Sequence, residues 1–239
     1  MEEKVNAVML RAADYGENDK ILTLFSLEKG VLTAKIRGVK KAGAKLKFAA
    51  EPFCFAEYVL AERQGRRTVA HAALLDGFYE LRTDLDKFYA GAAVLEFVRA
   101  FCPENLPAEG VFLAAVQALK ALSYGDEPPR HVLVRFLLSV LPEAGYAIRT
   151  DACAACGRQE LSRAFFDFEE GAVYCSYCAP GRATEVSVRT VEALNALAPG
   201  GSGAAEEKYV GRALKLLSRY LAVKGGVNLR AIGELFAGE

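Results

Sequence analysis

No apolar stretch of this 239-residue chain approaches the roughly 18–20 residues that a membrane-crossing helix needs. No biased tract interrupts a globular composition of 52% hydrophobic and 25% charged residues. Net charge is also absent, 30 basic side chains standing against 30 acidic ones, which taken alone argues against a nucleic-acid partner. Histidine is scarce: His71 falls in a strand pattern and His131 in a helical one, neither with a patterned partner, so each reads as a surface or core residue. The chain contains no G-x-x-x-x-G-K-[ST] phosphate loop, no G-x-G-x-x-G after a strand and no G-x-S-x-G elbow. With no catalytic constellation to point to, the expectation is a protein that is not an enzyme. Met1-Glu2-Glu3-Lys4 leads straight into a patterned segment with no signal-peptide core, so a cytoplasmic protein without membrane association is expected.

The chemistry that is present lies in cysteine. Four of the six cysteines form two Cys-x-x-Cys pairs, Cys153–Cys156 and Cys175–Cys178, with 18 residues between them. That spacing is the pattern of a four-thiolate zinc site, because two intervening residues let one tight turn aim both sulfurs at one ion. Gly157 suits the strained backbone of such a turn. Ala164–Phe168, Glu169-Glu170-Gly171 and Ala172–Tyr174 read as a β-hairpin that returns the second pair to the first, as in a zinc ribbon. Four protein ligands leave no open coordination position, so one structural Zn2+ is expected; a redox dithiol and a rubredoxin-like iron site are the competing readings. Cys54 and Cys102, alone in apolar surroundings, read as ordinary buried residues.

The pattern changes once along the chain. Within the first 79 residues, five β-permissive runs (5–12, 21–25, 31–39, 53–61 and 67–75) are separated by turn clusters at Tyr15–Asp19, Lys29-Gly30 and Gln64-Gly65. Five short strands suggest a closed five-stranded β-barrel of the OB-fold kind. From about residue 80 the periodicity is helical, with helices expected over 84–102, 109–123 and 128–142. The cysteine module follows at about 150–182, then a short helix from Ser187 to Leu197, a long one from about Ala205 to Val223 and a last one ending near Phe236. The expected architecture is therefore α+β: an OB-fold at 1–79, then an all-helical domain at 80–239 with an inserted four-cysteine, zinc-ribbon-like module.

Position along the chain also changes what the charge implies. From Lys29 to Ala50 there are seven basic residues and no acidic one. Lys35 and Arg37 should leave one face of a strand whose Leu32, Ala34 and Ile36 face inward, with Lys40, Lys41, Lys45 and Lys47 on a mobile adjoining loop. A basic stripe on a barrel is the footprint of single-strand binding, although a solvated loop would carry the same residues. Lys208, Arg212, Lys215 and Arg219 line one face of the long C-terminal helix and are candidates to extend the track, or simply its solvated side.

Tyr15-Gly16-Glu17-Asn18-Asp19-Lys20-Ile21-Leu22-Thr23-Leu24-Phe25, followed by Gly30, Gly38, Glu51-Pro52-Phe53, the four cysteines and Arg219-Tyr220-Leu221, resembles the RecO family of bacterial recombination mediators over nearly the whole chain. Ala44 departs from the resemblance, standing where a serine is expected in the basic loop. The resemblance implies an OB-fold that binds single- and double-stranded DNA, and a helical domain with a zinc module. It also implies annealing of complementary strands, and loading of RecA, with RecR, onto strands coated by single-stranded-DNA-binding protein. The expected location is the bacterial cytoplasm, at the nucleoid during repair. Helices at about 84–141 would offer an apolar groove for the C-terminal tail of that coating protein. The DNA-contacting candidates are Lys35, Arg37, Lys40, Lys41, Lys45, Lys47, Arg212, Lys215 and Arg219. Two rivals remain: an accessory protein whose barrel grips an acidic protein partner, and a thiol oxidoreductase.

Overall fold

The computed structural model describes residues 2–237, which fall into two compact units divided between Gly125 and Asp126. In the first unit, β1 (Glu2–Tyr15), β2 (Asp19–Ser26), β3 (Gly30–Ile36), β4 (Phe55–Arg63) and β5 (Arg66–Asp76) close into a barrel of order β1-β2-β3-β5-β4. The expected five-stranded barrel is thus present, with β1, β2 and β5 longer than their apolar runs, β4 displaced by two residues and β3 ending at Ile36 instead of residue 39. Polar ends such as Asp14 and Tyr15 are carried into β1 by pairing with β2, which periodicity alone does not register. All neighbours are antiparallel except β3 and β5, whose parallel contact at Lys35 and Thr68 closes the barrel. Alternation in β3 behaves as expected: Leu32, Ala34 and Ile36 are buried, while Thr33 is exposed and Lys35 half-buried.

Tyr58 lies fully buried in the barrel and donates its hydroxyl to the Ala49 carbonyl at 3.0 Å. Ala49 and Ala50 belong to a single 3-10 turn (Lys47–Ala50) and pack into the barrel core. Cys54 is buried beside Tyr58, and burial pushes its thiol up to about 11, so it is an inert packing residue. After a second 3-10 turn (Tyr79–Arg82), α1 (Leu85–Phe101) begins where the Asp84 carboxylate accepts the Lys87 amide, an N-cap, and α2 (Glu109–Tyr124) follows. Both helices pack on the barrel through aromatic edges: Phe112 of α2 against Phe25 at 5.4 Å and Phe55 at 6.0 Å, Phe88 of α1 against Phe53 at 5.5 Å.

In the second unit α3 (Pro129–Val140), α4 (Val188–Leu197) and α5 (Glu207–Gly225) pack together, and α6 (Arg230–Glu234) contacts α5. The expected hairpin is β6 (Ala164–Asp167) and β7 (Ala172–Cys175), joined by a strand that the sequence pattern does not foretell, β8 (Thr184–Val186), which pairs with β6. Three residues are too few for an alternation signal. The β6–β7 turn rests on α5: Gly171, at φ +67, lies so close to the Tyr220 ring that a Cβ would come within 2.6 Å of its hydroxyl. His131 lies in the core, its Nδ1 3.0 Å from Glu207 and its Nε2 3.0 Å from the Ala205 carbonyl, whereas His71 is exposed at the surface.

One close approach couples barrel and connection. The segment after α1 runs along β3, with the Asn105 amide donating to the Val31 carbonyl at 2.8 Å. That fit requires Gly30, which sits at φ +67 where a Cβ would fall 1.9 Å from the Leu106 carbonyl oxygen. Gly30→Ala should therefore destabilise the protein by about 2–4 kcal/mol, combining left-handed strain with a backbone clash. Urea unfolding should read this as a lower midpoint with an unchanged slope.

Candidate metal centre and nucleic-acid interface

The four cysteines converge. The sulfurs of Cys153, Cys156, Cys175 and Cys178 all lie within 4.8 Å of one another, with Cys156 and Cys175 at 3.9 Å. Metal–sulfur bonds of about 2.3 Å in a tetrahedron require sulfur separations near 3.8 Å, so the cage has the size of a four-thiolate site. Its two halves repeat one design. Burial would raise the Cys153 thiol, but the amides of Cys175, Cys156 and Ala155 outweigh it and hold it at about 6. Burial is likewise outweighed at Cys175, where the Tyr177 and Cys178 amides lower the thiol. In each pair, then, the first sulfur is cradled by backbone amides, including those of its own turn. Sulfur–sulfur hydrogen bonding with Cys175 and Cys156 pushes Cys178 the other way, to about 12. Four thiolates this close repel one another, and a cation of charge +2 removes that repulsion; the donor set fits a soft divalent metal.

The chain supports the cage from both sides. Gly157, at φ +72, closes the first turn by donating its amide to the Cys153 carbonyl at 2.9 Å. The Ala154 amide donates to the Val173 carbonyl of β7 at 2.9 Å, stitching the first pair to the strand that ends in Cys175. Asp167, 1% exposed, finishes β6 by accepting the Glu169 and Glu170 amides at 2.9 and 3.2 Å and the Arg182 guanidinium at 2.7 Å. Burial opposes its charge, but those three donors hold its carboxyl below the usual carboxylate range.

The basic face is more neutral than the sequence implies. Of the seven cations between Lys29 and Ala50, three have carboxylate partners from elsewhere in the fold: Lys29 with Glu3 at 3.0 Å, Lys35 with Asp19 at 2.8 Å and Lys40 with Asp14 at 2.8 Å. Isolation along the chain is not isolation in space. Arg37, Lys41, Lys45 and Lys47 are exposed and form no ion pair among the described residues. The loop is tethered at both ends. The Gly38 amide donates to Asp19 at 2.8 Å and the Lys40 amide to the Asn18 carbonyl at 3.1 Å, successive turns follow, and Ala49 anchors the far end in the barrel.

Lys35 and Arg37 open onto a groove of about 690 Å³, lined also by Tyr15 and by Arg63, Arg66 and Arg67 of the β4–β5 hairpin. These arginines are absent from the sequence-derived candidates, although the Gln64-Gly65 turn is among the expected features. A two-residue turn necessarily sets Arg63 and Arg66 side by side, and that was the available signal. Arg67 is engaged, bonded to Asn105 at 2.8 Å and near Glu62 at 3.4 Å. In the second unit Arg212, Lys215 and Arg219 are exposed on α5 but lie over aromatic rings, Arg212 over Tyr209, Lys215 over Phe236 at 4.1 Å and Arg219 over Phe168 at 4.3 Å. With Phe168, Val186 and Leu216 they border a shallow cleft of about 380 Å³.

Two outcomes follow from these sites. Replacing Cys175 by serine should abolish stoichiometric metal, measured by elemental analysis of purified protein, and chelation of the parent should lower its thermal midpoint. The second concerns the tether. A hydrogen bond from Lys40 lowers the Asp14 carboxyl, and one from Lys35, helped by the Gly38 amide, lowers that of Asp19. Because the folded value is the lower one, the tether is complete above the ordinary aspartate value of about 3.9 and is lost as pH falls through the depressed values. Exchange of the Gly38 amide, corrected for its intrinsic rate, should stay protected at roughly pH 5 and lose protection only below the ordinary value.

The comparisons with known proteins agree along the chain. Residues 1–78 match the family model described as Recombination protein O N terminal, and residues 82–231 match Recombination protein O C terminal. A DNA repair protein RecO of Anaeromyxobacter sp. (strain K) is 35% identical over 208 residues, covering 84% of this chain and 81% of the relative. That of Nocardioides sp. (strain ATCC BAA-499 / JS614) is 34% identical over 225 residues, covering 90% and 91%. That of Desulforamulus reducens is 30% identical over 197 residues, covering 81% and 76%. With a closed N-terminal barrel, helices and a cysteine cage after it, and both family halves matched in order, the chain belongs to the RecO family of DNA repair proteins.

Proposed function

We propose that this protein is a DNA-binding recombination mediator that anneals complementary single strands and, with RecR, helps RecA load onto strands coated by single-stranded-DNA-binding protein. The observation that carries this reading is a closed barrel whose groove and adjoining loop present exposed cations without carboxylate partners, in a chain of the RecO family. Cations on a firm surface displace the counterions of a phosphate backbone and hold two strands near each other, and annealing needs no bond-making step. On this reading residues 1–79 are the nucleic-acid module. Residues 80–239 are a helical domain whose cage at about 150–182 holds one structural Zn2+, and its helices take up the coating protein's C-terminal tail. Arg212, Lys215 and Arg219 give the second unit a basic patch of its own. The working location is the bacterial cytoplasm, on the nucleoid.

Lys35 and Lys40 are secondary in this account, because Asp19 and Asp14 already neutralise them. Phosphate contact falls to Arg37, Lys41, Lys45 and Lys47. The remaining free cations would equally suit a second reading, in which the face grips an acidic protein. A salt titration separates the two, since single-strand affinity falls with a log–log slope of about 0.7 per phosphate contacted.

The triple substitution Arg37→Glu, Lys41→Glu and Lys45→Glu should weaken single-strand binding and flatten that slope by about 2, and should slow annealing of complementary oligonucleotides without nucleotide. Unchanged affinity at low salt in the triple variant would remove this face from the DNA-binding account and leave the acidic-partner reading.

A further inference from the structure

Two features of the barrel groove are left unexplained by a phosphate-binding loop. The first is the Arg63–Arg66 pair. The two residues stand directly opposite each other across β4 and β5, at the stem of a turn whose Gln64 and Gly65 both have positive φ, at 52° and 71°. Both residues at positive φ is the two-residue hairpin geometry that fixes strand register, so the arginines cannot slide apart along the ladder. Like charges facing each other across a strand pair are destabilising. The next pair of the ladder, Glu62 and Arg67, is complementary, with an ion pair at 3.4 Å, whereas Arg63 and Arg66 form no ion pair among the described residues. The hairpin thus carries localised positive charge that no carboxylate among the described residues pairs.

The second feature is Tyr15. It ends β1, paired with Asp19, and its side chain is 53% exposed on the wall of the same groove. The Lys35 ammonium lies 4.5 Å from the centre of its ring, and that ammonium is itself held by Asp19. A cation over one face orients the ring and leaves stacking to the opposite face of this half-exposed side chain. Lys35, being already neutralised, acts on Tyr15 more than on any phosphate.

We infer that this groove is a single-strand site: one unpaired base stacks on Tyr15, the opposed Arg63 and Arg66 hold a neighbouring phosphate, and Lys35 is a positioning residue for the ring. The inference rests on the DNA-binding reading and names its substrate class. Stacking requires an open base face, which a single strand offers and an intact duplex keeps covered by its own neighbours. The loop cations, by contrast, meet the phosphates of either form. The strand preference of the protein is therefore built into the groove and not into the loop.

The test compares fluorescein-labelled oligothymidine with a mixed-sequence duplex of equal length by anisotropy, on the full chain. Tyr15→Ala should weaken single-strand binding about tenfold, leave duplex binding within about twofold and leave the salt slope unchanged, because stacking releases no counterions. Tyr15→Phe should bind as the parent does. Arg63→Ser with Arg66→Ser should lower the salt slope for single strands by about 1. Since the chain contains no tryptophan, Tyr15→Trp supplies a single emitter at the site; its fluorescence should be quenched by the single strand and unaffected by duplex, a readout that survives if the alanine variant misfolds. Equal losses on both DNA forms, or indole emission that the single strand leaves unquenched in the Tyr15→Trp variant, would overturn the inference. If Tyr15 proves silent while reversal of the loop cations abolishes binding, this site fails and the DNA-binding reading stands. If the parent shows no salt-dependent DNA binding at all, that reading itself fails.

Discussion

Asp19 accepts the Gly38 amide with one carboxylate oxygen and the Lys35 ammonium with the other, and the arrangement of the barrel's basic face descends from that double bond. The first contact ties the start of the lysine-bearing loop to the turn between β1 and β2. The second holds Lys35 over the ring of Tyr15, and Arg37 beside it forms no ion pair among the described residues. Were Asp19 to let go, the loop would lose its fixed root and the tyrosine its neighbour together. The carboxylate is partly exposed, so the pairing contributes little to global stability; its effect is to select one geometry among several that differ little in energy.

The second unit obeys a different constraint. A three-stranded sheet with strands of four, four and three residues buries too little apolar surface to hold itself together. It is pinned instead at three points: the sulfur cage, the Asp167–Arg182 pair and the seat of Gly171 on Tyr220 of α5. The amides that cradle Cys153 and Cys175 show how the backbone is folded to favour charge on sulfur before any ion arrives. A filled cage turns that local electrostatic strain into cohesion, and the β6–β7 hairpin passes it on to the helices.

Much of this was legible in the chain. Strand alternation in β3 and the cysteine spacing appear where they are expected, and each, like the Asp84 cap of α1 and the Pro129 start of α3, encodes geometry locally, within a few residues. The expectations that the fold corrects share one cause, which is distance along the sequence. Lys29, Lys35 and Lys40 read as unopposed because Glu3, Asp19 and Asp14 lie in β1 or beside it and meet them only when the barrel closes. The anchors of the loop, the Asp19 carboxylate and the Tyr58 hydroxyl, belong to other strands and leave no mark in the loop's own sequence. Strand β8 escapes notice because three residues carry no periodicity. Arg63 and Arg66 were within reach, since a hairpin turn dictates what stands on either side of it.

The partial neutralisation of the loop bears on how long a strand stays bound. Four free cations in place of seven correspond to a grip of about three counterions rather than five on a single strand. On the proposed reading, a weaker electrostatic grip would speed dissociation of a bound strand. On that same mediator reading, a surface that brings strands together and surrenders them would profit from carboxylates that hold part of its charge in reserve.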